Sequence, residues 1–338
     1  MKKLTYTNRL LTLILALLVG FAFVGCEDDN PSKPTVSPEY ESIQPAADAY
    51  AGGTQSAVIT AQSLFDNMND GDATNDYLVV SVRSEAHYAL GHVPGAINIP
   101  WREVGTEASL AKLPAGKKLA VYCYTGHTGG IATTLLNIMG YEAYNMKWGI
   151  MSWTKDAAVR VASPFSEDTD AHDFATETTI NAPTTTFDLP ETEFSESSDA
   201  VEIVRAACEN VAANIVATTT AQALFDNLND GDASNNPIIV SVRSEAHYAL
   251  GHIPGAINIP WKEIAQIDKV KVLDPSKDIV VYCYTGHTGA VAATILNTLG
   301  YKAANMKFGM MSWTKDATIR VSAPYVEDTD AHDFALEQ

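Results

Sequence analysis

Short, nearly unbroken apolar runs punctuate this chain, separated by stretches with helical spacing and by turns rich in Gly, Asn and Asp. Leu78-Val-Val-Ser-Val82 and Ile238-Ile-Val-Ser-Val242 lack polar alternation, which is the pattern of strands buried on both faces. Further strands are predicted at residues 96–99, 118–122 and 143–146. Thr60 and Thr220 are placed to cap helices opening at Ala61 and Ala221, and Asn69-Asp-Gly-Asp72 turns the chain out of the first. A helix is predicted from about Gly129 to Met139, closed by Gly140, and another over Asp199 to Asn214. Strand and helix alternate, so the expected fold is α/β, with a parallel sheet and helices on both faces. Ligands in such folds sit beyond the carboxyl ends of the strands.

The pattern occurs twice, at an offset of 160 residues. Ser81 through His92 is identical to Ser241 through His252, and Val121-Tyr-Cys-Tyr-Thr-Gly-His-Thr-Gly129 recurs as Val281 through Gly289. A period this long marks a duplicated domain rather than a solenoid unit. The expected organisation is an export signal over 1–25, a flexible stalk over 26–45, a first domain over 46–175, a linker over 176–198 and a second domain over 199–338. The signal rests on basic Lys2, Lys3 and Arg9, an apolar run from Leu10 to Val24, and Gly25-Cys26. Phe23-Val-Gly-Cys26 resembles a bacterial lipobox, so Cys26 is expected to carry lipid. That would place the chain in the bacterial cell envelope, at the periplasm or outer membrane, held to the membrane by the lipid anchor only.

Charge narrows the partners. The formal net charge is −19 and becomes −22 once residues 1–25, with their three cations, are removed. So acidic a chain is a poor match for nucleic acid or an anionic membrane surface. Apart from Cys26, three cysteines remain, too few for a disulfide framework. Cys208 stands where the first repeat has Asp48, and is expected to be a small buried helix residue.

Cys123 and Cys283 fall where a strand ends, the chain turns through a glycine, and a helix begins. Backbone N–H groups there converge on one concavity, which favours an anion, including the thiolate itself. The expected cradle is Tyr124, Thr125, Gly126, His127 and Thr128, with Tyr284, Thr285, Gly286, His287 and Thr288 in the second copy.

Each repeat resembles a rhodanese domain. The likeness rests on Val82-Arg83, Tyr88, Gly91-His-Val-Pro-Gly-Ala-Ile-Asn-Ile-Pro100, the loop at Cys123, and Trp148 to Trp153, with their twins in the second copy. It implies two tandem rhodanese-like domains in which Cys123 and Cys283 take sulfane sulfur from a small donor such as thiosulfate or a polysulfide. The sulfur is held as a persulfide and passed to a thiol or cyanide, with no metal or organic cofactor. The six residues from Cys123 to Thr128 match the sulfur-handling members rather than the related phosphatases. Ser81 and Ser241 replace the usual acid, His87 and His247 a frequent glutamate, and Thr128 and Thr288 the arginine of many active members. Binding of a doubly charged donor would then rest on backbone N–H groups, a hydroxyl and a partly protonated histidine. Arg83 and Arg243 are expected to brace each domain through an ion pair rather than to touch substrate. The alternative function is a non-catalytic binding module that recognises a partner or small anion.

Glu167-Asp-Thr-Asp-Ala-His-Asp-Phe174 recurs as Glu327 to Phe334. Its carboxylates and histidine could take a cation, but no ligand-loop pattern is met. The simpler expectation is a solvated segment whose aromatic residue packs back on the domain.

Overall fold

The computed structural model describes residues 36–338, so the expected signal and the expected lipid-bearing Cys26 lie outside the described residues. Numbering only helices of eight residues or more, the first repeat comprises α1 (Pro38–Gly52), β1 (Val58–Ile59), α2 (Ala61–Met68), β2 (Leu78–Ser81), β3 (Ile97–Asn98), β4 (Leu119–Tyr122), α3 (His127–Ile138) and β5 (Ala143–Met146). The second comprises α4 (Ala200–Asn214), β6 (Thr218–Thr219), α5 (Ala221–Leu228), β7 (Ile238–Ser241), β8 (Ile257–Asn258), β9 (Asp278–Tyr282), α6 (His287–Thr298) and β10 (Lys302–Met306). Each repeat forms a five-stranded parallel sheet, ordered β1-β5-β4-β2-β3 and β6-β10-β9-β7-β8. Thr60 and Thr220 cap α2 and α5 as expected, accepting from Ser63 N and Ala223 N.

Both faces of each sheet are covered because adjacent strand residues point opposite ways. In the first repeat Val79, Ala120 and Tyr122 pack towards Leu64 of α2, while Val80, Leu119 and Val121 pack with Ile131 and Leu135 of α3. The second of these layers does not stop at the repeat boundary. Val240, Ile279, Val281, Val291 and Ile295 belong to the same continuous core. The two repeats therefore share one apolar interior.

Residues 38–45 were expected in a flexible stalk, and they instead open α1. Ser37 caps Tyr40 N, Pro38 occupies the first turn, and Tyr40, Ile43 and Ala47 are fully buried. Its partners come from the other repeat: Gln44 Nε2 donates to Ala265 O and Lys262 Nζ to Gly53 O. Reciprocally, Arg102 donates to Ala212 O and Ala213 O at the end of α4. The 176–198 segment lies on the second repeat and on α1, with Leu189 and Thr192 buried and the N–H groups of Phe194 and Ser195 held by Glu39.

The repeated acidic segments are likewise exchanged. Phe334 stacks on Phe65 of the first repeat, and Phe174 stacks on Phe225 of the second, each at 4.0 Å between centroids. Trp153 Nε1 donates to Ala335 O, and Trp313 Nε1 to Ala175 O. The aromatic does pack back, but onto the other domain. Among the described residues no group of His, Cys, Asp and Glu is arranged to hold a metal, and no helix is long and apolar enough to cross a membrane.

Candidate functional site: two cysteine loops face to face

β4 delivers Cys123 to the end of the sheet, and Gly126, at φ 90°, turns the chain so that α3 begins at His127. A left-handed φ at this point suits glycine. The turn brings Gly126 N to 3.1 Å from Cys123 Sγ, and Gly286 N lies at the same distance from Cys283 Sγ. An N–H donor at the start of a twelve-residue helix favours negative charge on the sulfur. Asn145 Nδ2 fixes the loop from β5 by donating to Gly126 O, and Asn305 does so for Gly286. The lone polar side chain in the buried half of that strand was the sequence signal for this role, and it passed unread.

The next turn of chain closes the loop from the other side. Ile150 N donates to Cys123 O at 2.9 Å and Met151 N to Tyr124 O, while Gly149 packs against the Cys123 carbonyl too closely to carry a Cβ. Met310, Met311 and Gly309 repeat this around Cys283. Trp148 and Phe308, which lead into these turns, have φ of 67° and 64°, a region that bulky side chains rarely occupy.

His127 and His287 do not lie beside their loops in solvent. They are buried and stacked on each other with ring centroids 6.0 Å apart. Trp148 N donates to His287 Nε2 at 3.1 Å, and Phe308 N donates to His127 Nε2 at 3.0 Å. With Nε2 accepting, the proton of each ring sits on Nδ1 and is donated to Thr125 Oγ1 or Thr285 Oγ1. Burial, with the neighbouring His287 and Lys307 adding to it, holds His127 well below its ordinary 6.5. Burial, and then Lys147, pushes His287 down to about 3. The expectation of a partly protonated histidine is thereby overturned: both rings are neutral and both nitrogens are engaged.

Arg83 and Arg243 are fully buried and brace the domain, but not through an ion pair. Arg83 donates to Val159 O and Gly91 O, and Arg243 to Ile319 O and Gly251 O. Backbone carbonyls take the place of the expected carboxylate. Thr128 and Thr288 are half-buried in the first turn of their helices. Tyr124 and Tyr284 turn their hydroxyls to His87 Nδ1 and His247 Nδ1, at 2.6 and 2.7 Å. Cys123 and Cys283 are 0% and 1% exposed, so the sulfur atoms are sealed. Cys208 is also buried, in the shared core, and burial pushes its thiol up.

The rhodanese-like domain model matches residues 60–156 and 220–316, together more than half of the chain. The chain belongs to the rhodanese-like family. A thiosulfate sulfurtransferase of Pseudomonas aeruginosa is 24% identical over 272 residues, covering 71% of this chain and 88% of that protein. A probable adenylyltransferase/sulfurtransferase, MoeZ, of Mycobacterium tuberculosis is 28% identical over 130 residues, which are 37% of this chain and 32% of the relative. The chain thus spans about a third of the length of such a curated relative. A crystal structure of a rhodanese-like domain protein from Staphylococcus aureus has 26% identity, covers 29% of this chain and 92% of its own, and has a TM-score of 0.27. In rhodanese-like terms both loops here keep the cysteine, and relatives of the chain are named sulfurtransferases.

Proposed function

We propose that this rhodanese-like chain carries sulfane sulfur on Cys123 and Cys283 in the bacterial cell envelope. The observation that carries the reading is the Gly126 N–H donated to Cys123 Sγ at the start of α3, repeated at Cys283. In the reaction the thiolate attacks the outer sulfur of a donor, forming Cys–S–S⁻. With thiosulfate the S–S bond breaks and sulfite leaves with the electron pair; with a polysulfide the shortened polysulfide leaves. Attack of an acceptor thiolate or cyanide on the outer sulfur then returns the cysteine thiolate. Thr128 and Thr288 offer no positive charge to a dianionic donor, thiosulfate or polysulfide alike, so its binding rests on the backbone N–H groups of the loop.

One observation favours a second reading, a binding module without turnover: both sulfur atoms are sealed from solvent. Intact mass after treatment with thiosulfate or with polysulfide, then with cyanide, separates the two. Gain of one sulfur per loop cysteine, reversed by cyanide and lost in Cys123→Ser and Cys283→Ser, supports sulfur carriage. No gain in the folded protein with either donor would leave the binding module.

A further inference from the structure

Sealed cysteines and sulfur transfer are reconciled by where the seal comes from. His287 touches both the Cys123 loop and the turn that closes it. Its Nε2 accepts from Trp148 N, the residue leading into the turn that holds the Cys123 carbonyl. The same ring lies on Gly126, where an added Cβ would stand 2.5 Å from Nε2, and Gly126 is the residue whose N–H meets Cys123 Sγ. His127 repeats both contacts on Phe308 and Gly286. Each loop is thus finished by a side chain of the other domain.

We propose that the two histidines are reciprocal caps: His287 closes the Cys123 site and His127 closes the Cys283 site, so each cysteine reacts only when the opposite domain's imidazole lets go of its turn. The role is positional, since the rings act through Trp148 and Phe308, and its purpose rests on the sulfur-carrying reading. Wholesale separation of the domains is not the opening motion. The shared core and the exchanged segments oppose it, with Arg160 on Glu327 at 2.8 Å and Arg320 on Glu167 at 2.5 Å. Local release of the 147–149 turn is enough. That turn borders a cleft of about 230 Å³ lined in part by Lys147, Trp148, Gln62 and Ser152, so it has open space to move into. Asp330 and His332 of the exchanged segment complete its wall.

The test is the rate of alkylation by iodoacetamide at each cysteine of the full chain, resolved by peptide mass mapping. His287→Leu fills the space without accepting a hydrogen bond, whereas His287→Gln keeps an acceptor near the Nε2 position. Loss of one buried hydrogen bond corresponds to roughly tenfold. We expect Cys123 to react about tenfold faster in His287→Leu and within about threefold of wild type in His287→Gln, with the mirror result at Cys283 for His127→Leu and His127→Gln. Cys208, buried in the shared core, is the internal control for global unfolding. If it labels in step with Cys123 in His287→Leu, the shorter His287→Asn, which cannot reach Trp148, replaces it. A Cys123 rate within twofold of wild type in the folded variant, or acceleration confined to Cys283, overturns the cap. Alkylation needs no sulfur donor. Cysteines that alkylate as described but never gain sulfur would sink sulfur carriage and leave the cap standing.

Discussion

Arg320 of the second domain grips Glu167 of the first with both prongs of its guanidinium, Nη1 to Oε1 at 2.5 Å and Nη2 to Oε2 at 3.1 Å. The arginine is buried and its other partners are the carbonyls of Thr314 and Met311, while the Glu167 side chain is 42% exposed. Removing the carboxylate leaves a buried cation with only carbonyls around it, but water can reach the gap, so the loss is smaller than for a fully buried pair. Glu167→Ala is expected to lower stability by about 1–2 kcal/mol. Urea denaturation reads this directly, and an unchanged midpoint would mean that Phe174 and the hydrogen bonds to Ser312 and Trp313 hold the exchanged segment without help from the ion pair.

Acid should weaken the protein through the paired imidazoles. In the unfolded chain each histidine takes up a proton near its ordinary 6.5, whereas in the folded chain burial keeps His127 neutral well below that and His287 neutral down to about 3. Below pH 6.5 the unfolded state therefore binds more protons, so stability falls as pH drops from 6.5 towards 3 and is unaffected by these groups above that window. Each ring contributes at most about 1.4 kcal/mol per pH unit. Replacing both by Gln should flatten the profile between pH 6.5 and 4.5. Parallel profiles for the two proteins would contradict the neutral, buried assignment.

Gly140 and Gly300 occupy equivalent helix ends with the same φ of 89°, yet their surroundings differ. A Cβ at Gly140 meets nothing within 4 Å, while at Gly300 it would lie 2.7 Å from Pro190 and 2.8 Å from Thr192. Gly140→Ala should cost about 1 kcal/mol for the left-handed backbone alone. Gly300→Ala should cost about 1–3 kcal/mol more, because the 176–198 segment must shift. Equal thermal shifts in the two variants would show that this segment yields freely.

The anchor proposed at Cys26 predicts a change of compartment. Wild-type protein in a bacterial host should sediment with membranes and be released by detergent, whereas Cys26→Ser should appear in the soluble envelope fraction. A wild-type protein already soluble would rule out the lipid.

Within each repeat the sequence was a good guide. Buried parallel strands announce themselves as unbroken apolar runs, and α2, α5 and the cysteine loops follow from their caps and glycines. What it concealed was ownership. Because the two copies are so alike, a helix or tail that fits its own domain fits the twin equally well, and nothing in Glu167–Phe174 or Asp199–Asn214 says which one it will cover. The same ambiguity hid the histidines, whose partners lie 139 and 181 positions away. The helix α1 was missed for a different reason. Pro38 and Pro45 sit in a Ser- and Glu-containing stretch that reads as stalk, although Ser37, Pro38, Glu39 and Glu41 together are a helix-start signature. For Arg83 the expected ion pair gives way to backbone carbonyls, since the bend near Gly91 that presents one of them is invisible to spacing.

The exchange of segments also sets the order in which this molecule can be built. Gly95 N waits for Glu337, 242 positions later, and Gly53 O waits for Lys262, 209 positions later. During synthesis the first domain emerges with the backbone at His92 and Gly95 unpartnered and a helix seat still empty, and contacts of such long range form slowly. Each half holds all five strands of its own sheet, yet the first domain's last contacts wait for the end of the chain.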